Sequence, residues 1–581
     1  MMRQATRAAV TALILASAST GLALAEPPEW MPLAAVRPGM RGTALTVVRG
    51  TTVESFEAEV LAIVPGAGPS GDLILIRASG PLIGRTGGIA AGMSGSPVYL
   101  NGRLVGAIGF GWAFADHSLG LVTPIESMLR AIPGPRAERR SLPTPVWAGG
   151  RRIDQIRVSP TQDDAVRADA AVPHLAVMVP LARPLLISGM GARAAQLLAA
   201  ELGPLGVTPV EGAAGGSTNV NPPLVPGSAI GVQLIRGDLN AVSIGTLTYR
   251  RGETILAFGH PLLNRGRTGY LLTAAEIHGV VRSTSFPFKI GSAGAPVGVV
   301  LEDRRAGIAG RVGPLPPLVG VRTVVTDSDR GRTATLGTHI VRDPQLGPVL
   351  ALVSALEAVD RVLDRVGEGT ARVRLTLRAR GLDGPVVREN VFYHARDIGS
   401  AALLELPEAL RLLFANEFVR TGPIDVTISV EAKQNRQTAS VVEAEATQPR
   451  VGRGEEVAVR ITLRPYQGTP VTRLVTVAVP QDFPAGPATL LIRAGGRPVP
   501  EQGLPALLTA EPVDASAASV AGQLAAFSDR DRNTDLVVEL VPGAARFPDA
   551  TGGALRTVRV RVATEWVVRG RIQLPITVDA R

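Results

Sequence analysis

Residues 86–108 have the sequence TGGIAAGMSGSPVYLNGRLVGAI, in which a glycine-rich turn precedes two apolar runs. The runs Pro97–Leu100 and Leu104–Ile108 flank Asn101-Gly102, a dipeptide that favours the tight turn of a β-hairpin. Ser94 lies in the turn before the hairpin. A glycine-rich turn can expose a serine hydroxyl group and direct nearby backbone N–H groups at a reacting oxygen. The spacing is equally typical of an ordinary glycine- and serine-rich turn, so both interpretations stay open.

Similar apolar runs broken by glycine surround this segment. They extend from Met31 to about Ile132, and a second block extends from Ala229 to about Val341. The spacing in the first block suits a small antiparallel barrel or sandwich, and the second block is also rich in predicted β-strands. From about Arg372 the chain changes to strict alternation of apolar and polar residues, which is typical of half-buried antiparallel strands. A helix is predicted over Ala192–Leu202, where Gly203-Pro204 ends it.

Composition excludes several classes of protein. The chain has 581 residues, of which 45% are hydrophobic and 19% charged, so it is globular and long enough for several cores. Cysteine is absent, which excludes disulfide scaffolds, thiol nucleophiles and cysteine-ligated metals. The net charge of +10 comes from scattered arginines, with lysine only at Lys289 and Lys433. Because nucleic-acid binding needs clustered cations, no nucleic-acid partner is expected. No metal-binding histidine spacing occurs, and we expect neither a metal nor a cofactor.

The first 25 residues are expected to be a cleaved signal peptide. Arg3 and Arg7 precede an apolar run over residues 8–24, and the segment ends in Ala23-Leu24-Ala25. No later segment has eighteen consecutive apolar residues, so no integral membrane segment is expected after cleavage. These features predict a protein exported to the periplasm or the extracellular space.

The run from Thr86 resembles two related groups of proteins. A G-x-S-G-x-P run before a hairpin is similar to the nucleophile region of chymotrypsin-like serine proteases. The longer pattern T-G-G-I followed by G-M-S-G-S-P resembles the SpoIVB-type serine peptidases, known from the stage IV sporulation protein B of spore formers. The resemblance implies that Ser94 is the nucleophile. By the same analogy, the backbone amides of Gly92 and Ser94 form the oxyanion hole.

A second stretch carries the rest of this resemblance. Ile244-Gly245-Thr246 and Gly259-His260 resemble the family's strand and its catalytic histidine, which implies that His260 is the general base. A lone histidine before a proline is otherwise more often structural. The family places histidine before serine, whereas here Ser94 comes first, so the arrangement would be permuted. A triad depends on geometry rather than chain order.

The acid of the triad has no direct counterpart in the sequence. Asp72 is the first candidate because it enters an apolar strand over residues 73–76, and Asp238 is the second. An aspartate that closes a turn is an equally valid interpretation of Asp72. Without an acid, the site would be a serine–histidine dyad or inactive.

We therefore expect a mainly β protein: a chymotrypsin-like double β-barrel followed by Ig-like β-sandwich modules and a small α+β C-terminal unit. Its expected function is that of an exported serine endopeptidase acting on protein or peptide substrates of the cell envelope. The alternative is an inactive envelope binding or scaffold protein that retains the peptidase fold. The predicted units are a signal peptide (1–25), a Ser94-bearing half-barrel (26–132), a linker with a helix (133–225), a His260-bearing half-barrel (226–345), an α/β-sandwich module (346–440), an Ig-like module (441–499) and the C-terminal unit (500–581).

Overall fold

The computed structural model of the chain describes residues 29–68, 71–130, 140–148, 151–158, 174–212, 217–415, 418, 422–496, 519–543 and 557–580. The expected signal peptide at 1–25 lies outside the described residues. Within the described ranges, no helix combines the length and the apolar character needed to cross a membrane.

The first barrel consists of antiparallel strands that close into a ring. In spatial order the ring runs β4, β1, β2, β3, β6 and β5, and β5 pairs again with β4. Its interior is filled by apolar side chains that alternate along each strand. The strands are β1 (Arg41–Thr46), β2 (Glu54–Gly68), β3 (Gly71–Ser79), β4 (Pro97–Leu100), β5 (Arg103–Gly111) and β6 (Leu119–Pro124), with helices α1 (Pro81–Thr86) and α2 (Ile125–Arg130) and a 3-10 turn at Leu33–Ala35.

A second ring of antiparallel strands forms the other barrel. Its order is β13, β14, β17, β16, β15 and β12, and β12 pairs again with β13. The two rings confirm the double β-barrel that was expected from the sequence. The strands are β12 (Ala229–Gly237), β13 (Asn240–Arg251), β14 (Thr254–Ala257), β15 (Gly266–Val281), β16 (Phe288–Arg304) and β17 (Gly307–Val312).

The predicted linker over 133–225 contributes strands to both sheets. Three strands extend the first sheet beyond β5, and two extend the second sheet beyond β13. The helix expected over Ala192–Leu202 is present with those bounds. These elements are β7 (Arg140–Ala148), β8 (Arg151–Val158), β9 (Leu175–Pro180), β10 (Arg183–Ser188), helix α3 (Ala192–Leu202), a 3-10 turn at Gly203–Leu205 and β11 (Val207–Glu211).

The region predicted as a separate α/β module over 346–440 continues the second sheet instead. Strand β12 pairs with β19, and β18 pairs in parallel with β22, so hydrogen bonds run without a break from the barrel into this region. Helix α4 packs on β18 and β19 and is buried along almost its whole length. The elements are β18 (Leu318–Asp327), β19 (Arg332–Val341), α4 (Gly347–Leu363), β20 (Gly369–Ala379), β21 (Val386–His394), α5 (Ile398–Ala401), α6 (Leu406–Phe414) and β22 (Pro423–Lys433).

The C-terminal part is one β-sandwich rather than two units divided at residue 499. One sheet has the order β26, β25, β23, β30, and the other β24, β31, β27, β28, β29. Strands from both sides of the predicted boundary pair with each other and share one apolar core. The elements are β23 (Thr438–Ala446), β24 (Arg450–Gly452), β25 (Glu456–Pro465), β26 (Val471–Ala478), β27 (Gly486–Ala494), α7 (Val520–Asp529), β28 (Asp535–Pro542), β29 (Val558–Ala563), β30 (Val567–Arg569) and β31 (Arg571–Asp579).

The long hairpin of β15 and β16 reaches out of the second barrel and into the first. Phe286, between its strands, is buried in the core of the first barrel and stacks on His117. The carbonyl oxygen of Ser285 accepts a hydrogen bond from Phe114 N at 3.1 Å. The hairpin therefore fixes the position of the two barrels relative to each other.

Truncation of Phe286 tests this role of the hairpin. Because its ring fills the core of the first barrel, Phe286→Ala is expected to cost about 3–5 kcal/mol in unfolding free energy. Phe114→Ala is the matched control, since the Phe114 side chain is 57% exposed, and it should change stability by about 0.5 kcal/mol or less. Urea unfolding measures both. Equal effects of the two substitutions would contradict the role of the hairpin.

Candidate active site

The Ser94 turn is held by the hairpin of β4 and β5. Asn101 and Gly102 both adopt positive φ angles of 50° and 74°, as the tight hairpin turn expected from the sequence requires. The amides of Met93, Gly95 and Ser96 donate to Ala90 O, Ile108 O and Met93 O at 2.8–2.9 Å. These bonds fix the backbone on either side of the serine.

Two other amides of this turn have no such acceptor. Among the described residues, no hydrogen-bond acceptor is assigned to the backbone N–H groups of Gly92 and Ser94. Buried N–H groups are normally paired, so two free ones beside a serine are unusual. They are the same two amides that the sequence analogy assigns to an oxyanion hole.

The Ser94 turn lies against the second barrel. Thr246 N donates to Ser94 O at 2.8 Å, and the Thr246 hydroxyl group donates to Gly92 O at 2.9 Å. A Cβ atom at Gly95 would overlap with the Thr246 carbonyl oxygen and lie 2.5 Å from Phe258 N. Only glycine allows so close an approach of two backbones. The serine turn therefore contacts the segment that leads to His260.

His260 lies at the end of a tightly bent segment after β14. Phe258 and Gly259 both have positive φ angles, of 73° and 66°, and such a conformation is costly for phenylalanine. Thr123 of the first barrel donates to Gly259 O at 2.6 Å and holds this bend. The first barrel therefore contacts the histidine segment at Phe258 and Gly259, while His260 Nε2 makes no hydrogen bond to Ser94.

The ring of His260 has a defined orientation. Its Nδ1 lies 2.7 Å from Pro261 O, and because a carbonyl oxygen only accepts, Nδ1 carries the proton. Nε2 is buried and has no hydrogen-bond partner within the described part of the chain. This tautomer leaves the Nε2 lone pair free, as a general base requires.

Burial keeps the imidazole neutral. Desolvation and the positive charge of Arg183 lower the pKa of His260 to about 3, although the bond to Pro261 O raises it slightly. The histidine thus stays unprotonated at neutral pH.

Neither aspartate proposed from the sequence lies on this ring. Asp72 is exposed, and its carboxylate accepts a hydrogen bond from Gly66 N at 2.7 Å, so it closes a turn. Asp238 is also exposed and accepts from Gly337 N at 2.7 Å. The Nδ1 position is taken by Pro261 O instead of a carboxylate. Both acid assignments are therefore corrected by the structure.

Two residues that sequence reasoning missed hold the His260 turn. Asp303 is fully buried and accepts from Leu262 N and Leu263 N at 2.8 and 2.7 Å. Arg183 donates to Leu262 O at 2.6 Å. Asp303 binds backbone amides of the turn and Arg183 binds its carbonyl oxygens. The spacing of the two residues in the sequence does not show that both contact the same turn.

Lys289 is a third missed residue beside the Ser94 turn. Its side chain is fully buried against Gly92, and its Nζ lies 2.9 Å from Thr46 Oγ1 and 3.5 Å from Thr246 Oγ1. Burial lowers the pKa of Lys289 to about 7. The sequence offered one signal for this role: Lys289 is one of only two lysines in the chain, and it lies in an apolar strand.

The described residues contain no group of three or more histidine, aspartate or glutamate side chains that could hold a metal ion.

Two six-stranded antiparallel barrels, with a G-x-S-G turn and a histidine segment in contact at their junction, are consistent with the chymotrypsin-like double barrel expected from the sequence. Residues 26–129 match a family model described as SpoIVB peptidase S55. This match covers under a fifth of the chain and includes Ser94 but not His260. No curated protein and no solved structure matches the chain significantly.

Substitution of Gly95 tests the contact between the two turns. Gly95→Ala should severely destabilise the fold or prevent folding, because a Cβ atom would overlap with the Thr246 backbone. Gly102→Ala is the matched control: Gly102 also has a positive φ angle, but a Cβ atom there meets nothing within 4 Å. It should cost only about 1 kcal/mol. Thermal unfolding of both variants decides, and similar melting temperatures would refute the contact.

The lowered pKa of Lys289 gives a pH-dependent prediction. Between about pH 7 and pH 10.5, the unfolded chain binds a proton at Lys289 that the folded chain does not. The lysine therefore destabilises the fold most below pH 7. The stability advantage of Lys289→Met over wild type should fall as pH rises through this window, by up to about 1.4 kcal/mol per pH unit. Urea unfolding between pH 6 and 10 measures it.

Lys433→Met, at an exposed lysine, controls for the loss of one positive charge. A constant difference between Lys289→Met and wild type across this pH range would contradict the lowered pKa.

Proposed function

We propose that the protein is an exported serine endopeptidase in which Ser94 is the nucleophile and His260 the general base. The observation that carries the proposal is the pair of unpaired backbone N–H groups at Gly92 and Ser94, which flank a serine on a turn in contact with the His260 segment. An ordinary turn would pair these amides with its own carbonyl groups. An oxyanion hole keeps them free for substrate.

The reaction follows from this arrangement in two steps. The Ser94 hydroxyl oxygen attacks the peptide carbonyl carbon while His260 Nε2 accepts the hydroxyl proton. The amides of Gly92 and Ser94 stabilise the negative oxygen of the tetrahedral intermediate. His260 returns the proton to the leaving amine, and the peptide bond breaks to give an acyl-enzyme. Water then hydrolyses the acyl-enzyme by the same route, which releases the acid and regenerates Ser94.

The site works in this proposal as a dyad. In a triad the acid holds the histidine in the correct tautomer and stabilises the imidazolium ion. Here Pro261 O holds the tautomer, at 2.7 Å from Nδ1. A neutral carbonyl group stabilises an imidazolium ion less than a carboxylate does, so slow turnover is expected.

Protein or peptide substrates follow from the peptidase family of residues 26–129. Their location in the cell envelope follows from the expected signal peptide at 1–25.

The second candidate function is that of a binding or scaffold protein which retains the fold without catalysis. The burial of Ser94, only 3% exposed, favours that candidate if the site never opens.

Covalent labelling separates the two candidates. A fluorophosphonate probe should react slowly with the purified wild type and form one adduct at Ser94, seen by intact-protein and peptide mass spectrometry. Ser94→Ala should abolish the adduct. Ser96→Ala is the matched control, because Ser96 Oγ is buried two residues away and has no assigned hydrogen-bond partner.

Ser96→Ala should label at close to the wild-type rate. Hydrolysis of a peptide library should follow the labelling, with a loss of several orders of magnitude in Ser94→Ala. No adduct on the wild type after prolonged incubation would favour the scaffold protein. Loss of the adduct in Ser96→Ala alone would move the nucleophile to Ser96.

A further inference from the structure

Strand β5 leads from the Ser94 hairpin directly past the histidine turn. At its far end, Gly109 lies against the Gly259 carbonyl group so closely that a Cβ atom would overlap with it. The residues that follow, Phe110 and Gly111, continue the same strand edge. An extended peptide paired with this edge would therefore run along the junction of the two barrels, beside the catalytic turns. Strand addition of this kind is a common mode of peptide recognition.

A segment of the chain itself occupies this edge. Strand β9 pairs antiparallel with β5 through Val179 opposite Gly111 and Pro180 opposite Phe110. The amide of Leu181 continues the ladder by donating to Gly109 O at 3.0 Å. Residues 179–181 are thus an extended tripeptide on the edge that a substrate would use.

The side chain of Leu181 fills an apolar site. It is fully buried, and a Cβ atom at Gly111 would lie 2.8 Å from Leu181 Cδ2 and 2.8 Å from Phe286 Cε1. The absence of a side chain at Gly111 therefore makes room for that of Leu181. The hairpin residue Phe286 closes the same space from the second barrel.

The chain then crosses to the histidine turn. Two residues after Leu181, Arg183 donates to Leu262 O at 2.6 Å and to Pro261 O at 3.3 Å. Residues 179–183 therefore extend from the β5 edge to the turn that carries His260. A bound substrate would follow the same course, from strand pairing on one side of the reacting bond to the histidine on the other.

We infer that Val179–Leu181 is an internal substrate mimic that blocks the active site, and that the substrates which displace it carry a Leu-like apolar side chain at the position of Leu181. The inference rests on the proposed peptidase function and names its regulation and substrate class. The low exposure of Ser94 and His260, at 3% and 1%, agrees with a blocked site. A tethered segment competes at high effective concentration, so a substrate displaces it only when the segment is weakened or the substrate binds well.

The first test weakens the segment and measures the reactivity of Ser94. Leu181→Ala removes the buried side chain over Gly111, so the fluorophosphonate labelling rate should rise at least tenfold. Leu175→Ala is the matched control, because Leu175 is fully buried in β9 and in the same core but lies beyond the residues paired with β5. It should label at the wild-type rate. Melting curves confirm that both variants are folded.

The second test uses the unaltered protein, so it holds even where Leu181→Ala fails to fold. The peptide aldehyde acetyl-Val-Pro-Leu-H, which copies residues 179–181, should slow fluorophosphonate labelling of the wild type. The matched peptide acetyl-Val-Pro-Glu-H should bind at least tenfold more weakly, because the site of Leu181 is apolar.

The outcomes separate the inference from the proposed function. If the wild type, Leu181→Ala and Leu175→Ala all label at one rate, the mimic is refuted and the peptidase stands. Equal protection by the two aldehydes refutes the assigned substrate class. If Ser94 reacts in none of the proteins, the proposed function itself is lost, and the inference with it.

Discussion

The backbone of Gly95 lies directly against the backbones of Thr246 and Phe258, and the candidate site depends on this contact. A side chain at Gly95 would push the serine turn away from the segment that carries His260. The bonds from Thr246 to Ser94 O and Gly92 O then orient the turn. Glycine at one position thus lets two separate barrels supply parts of one site.

Buried ionisable groups lie beside both turns of the candidate site. Asp303 and Arg183 hold the histidine turn by its amides and carbonyls, and Lys289 lies behind the serine turn between two threonines. Ionisable groups buried this deeply are costly unless their hydrogen bonds are satisfied. Each of the three groups has hydrogen bonds to one of these turns or to the threonines beside it, so polar contacts organise this region.

The elements that sequence predicted well are local ones. The hairpin after Ser94 follows from Asn101-Gly102 alone, and helix α3 follows from its glycine-proline stop. Apolar runs broken by glycine predicted two β-rich blocks, and the resemblance to serine peptidases then predicted a double barrel. That Pro261 O rather than a carboxylate lies at His260 Nδ1 was not predictable, because an aspartate at the start of a strand has the same local pattern whether it closes a turn or faces a histidine. Asp303, Arg183 and Leu181 act through partners that only the folded chain brings near, so no spacing reveals them.

The hairpin of β15 and β16 has a consequence for the order of folding. Phe286 completes the core of the first barrel, and Ala91, three residues before Ser94, exchanges hydrogen bonds with Pro287 and Lys289. During synthesis these residues emerge long after the serine turn, and contacts between distant parts of a chain form late. The first barrel therefore stays incomplete until nearly 200 further residues have followed Ser94. A nascent or truncated chain that ends before this hairpin therefore lacks the contacts that hold the segment leading to Ser94.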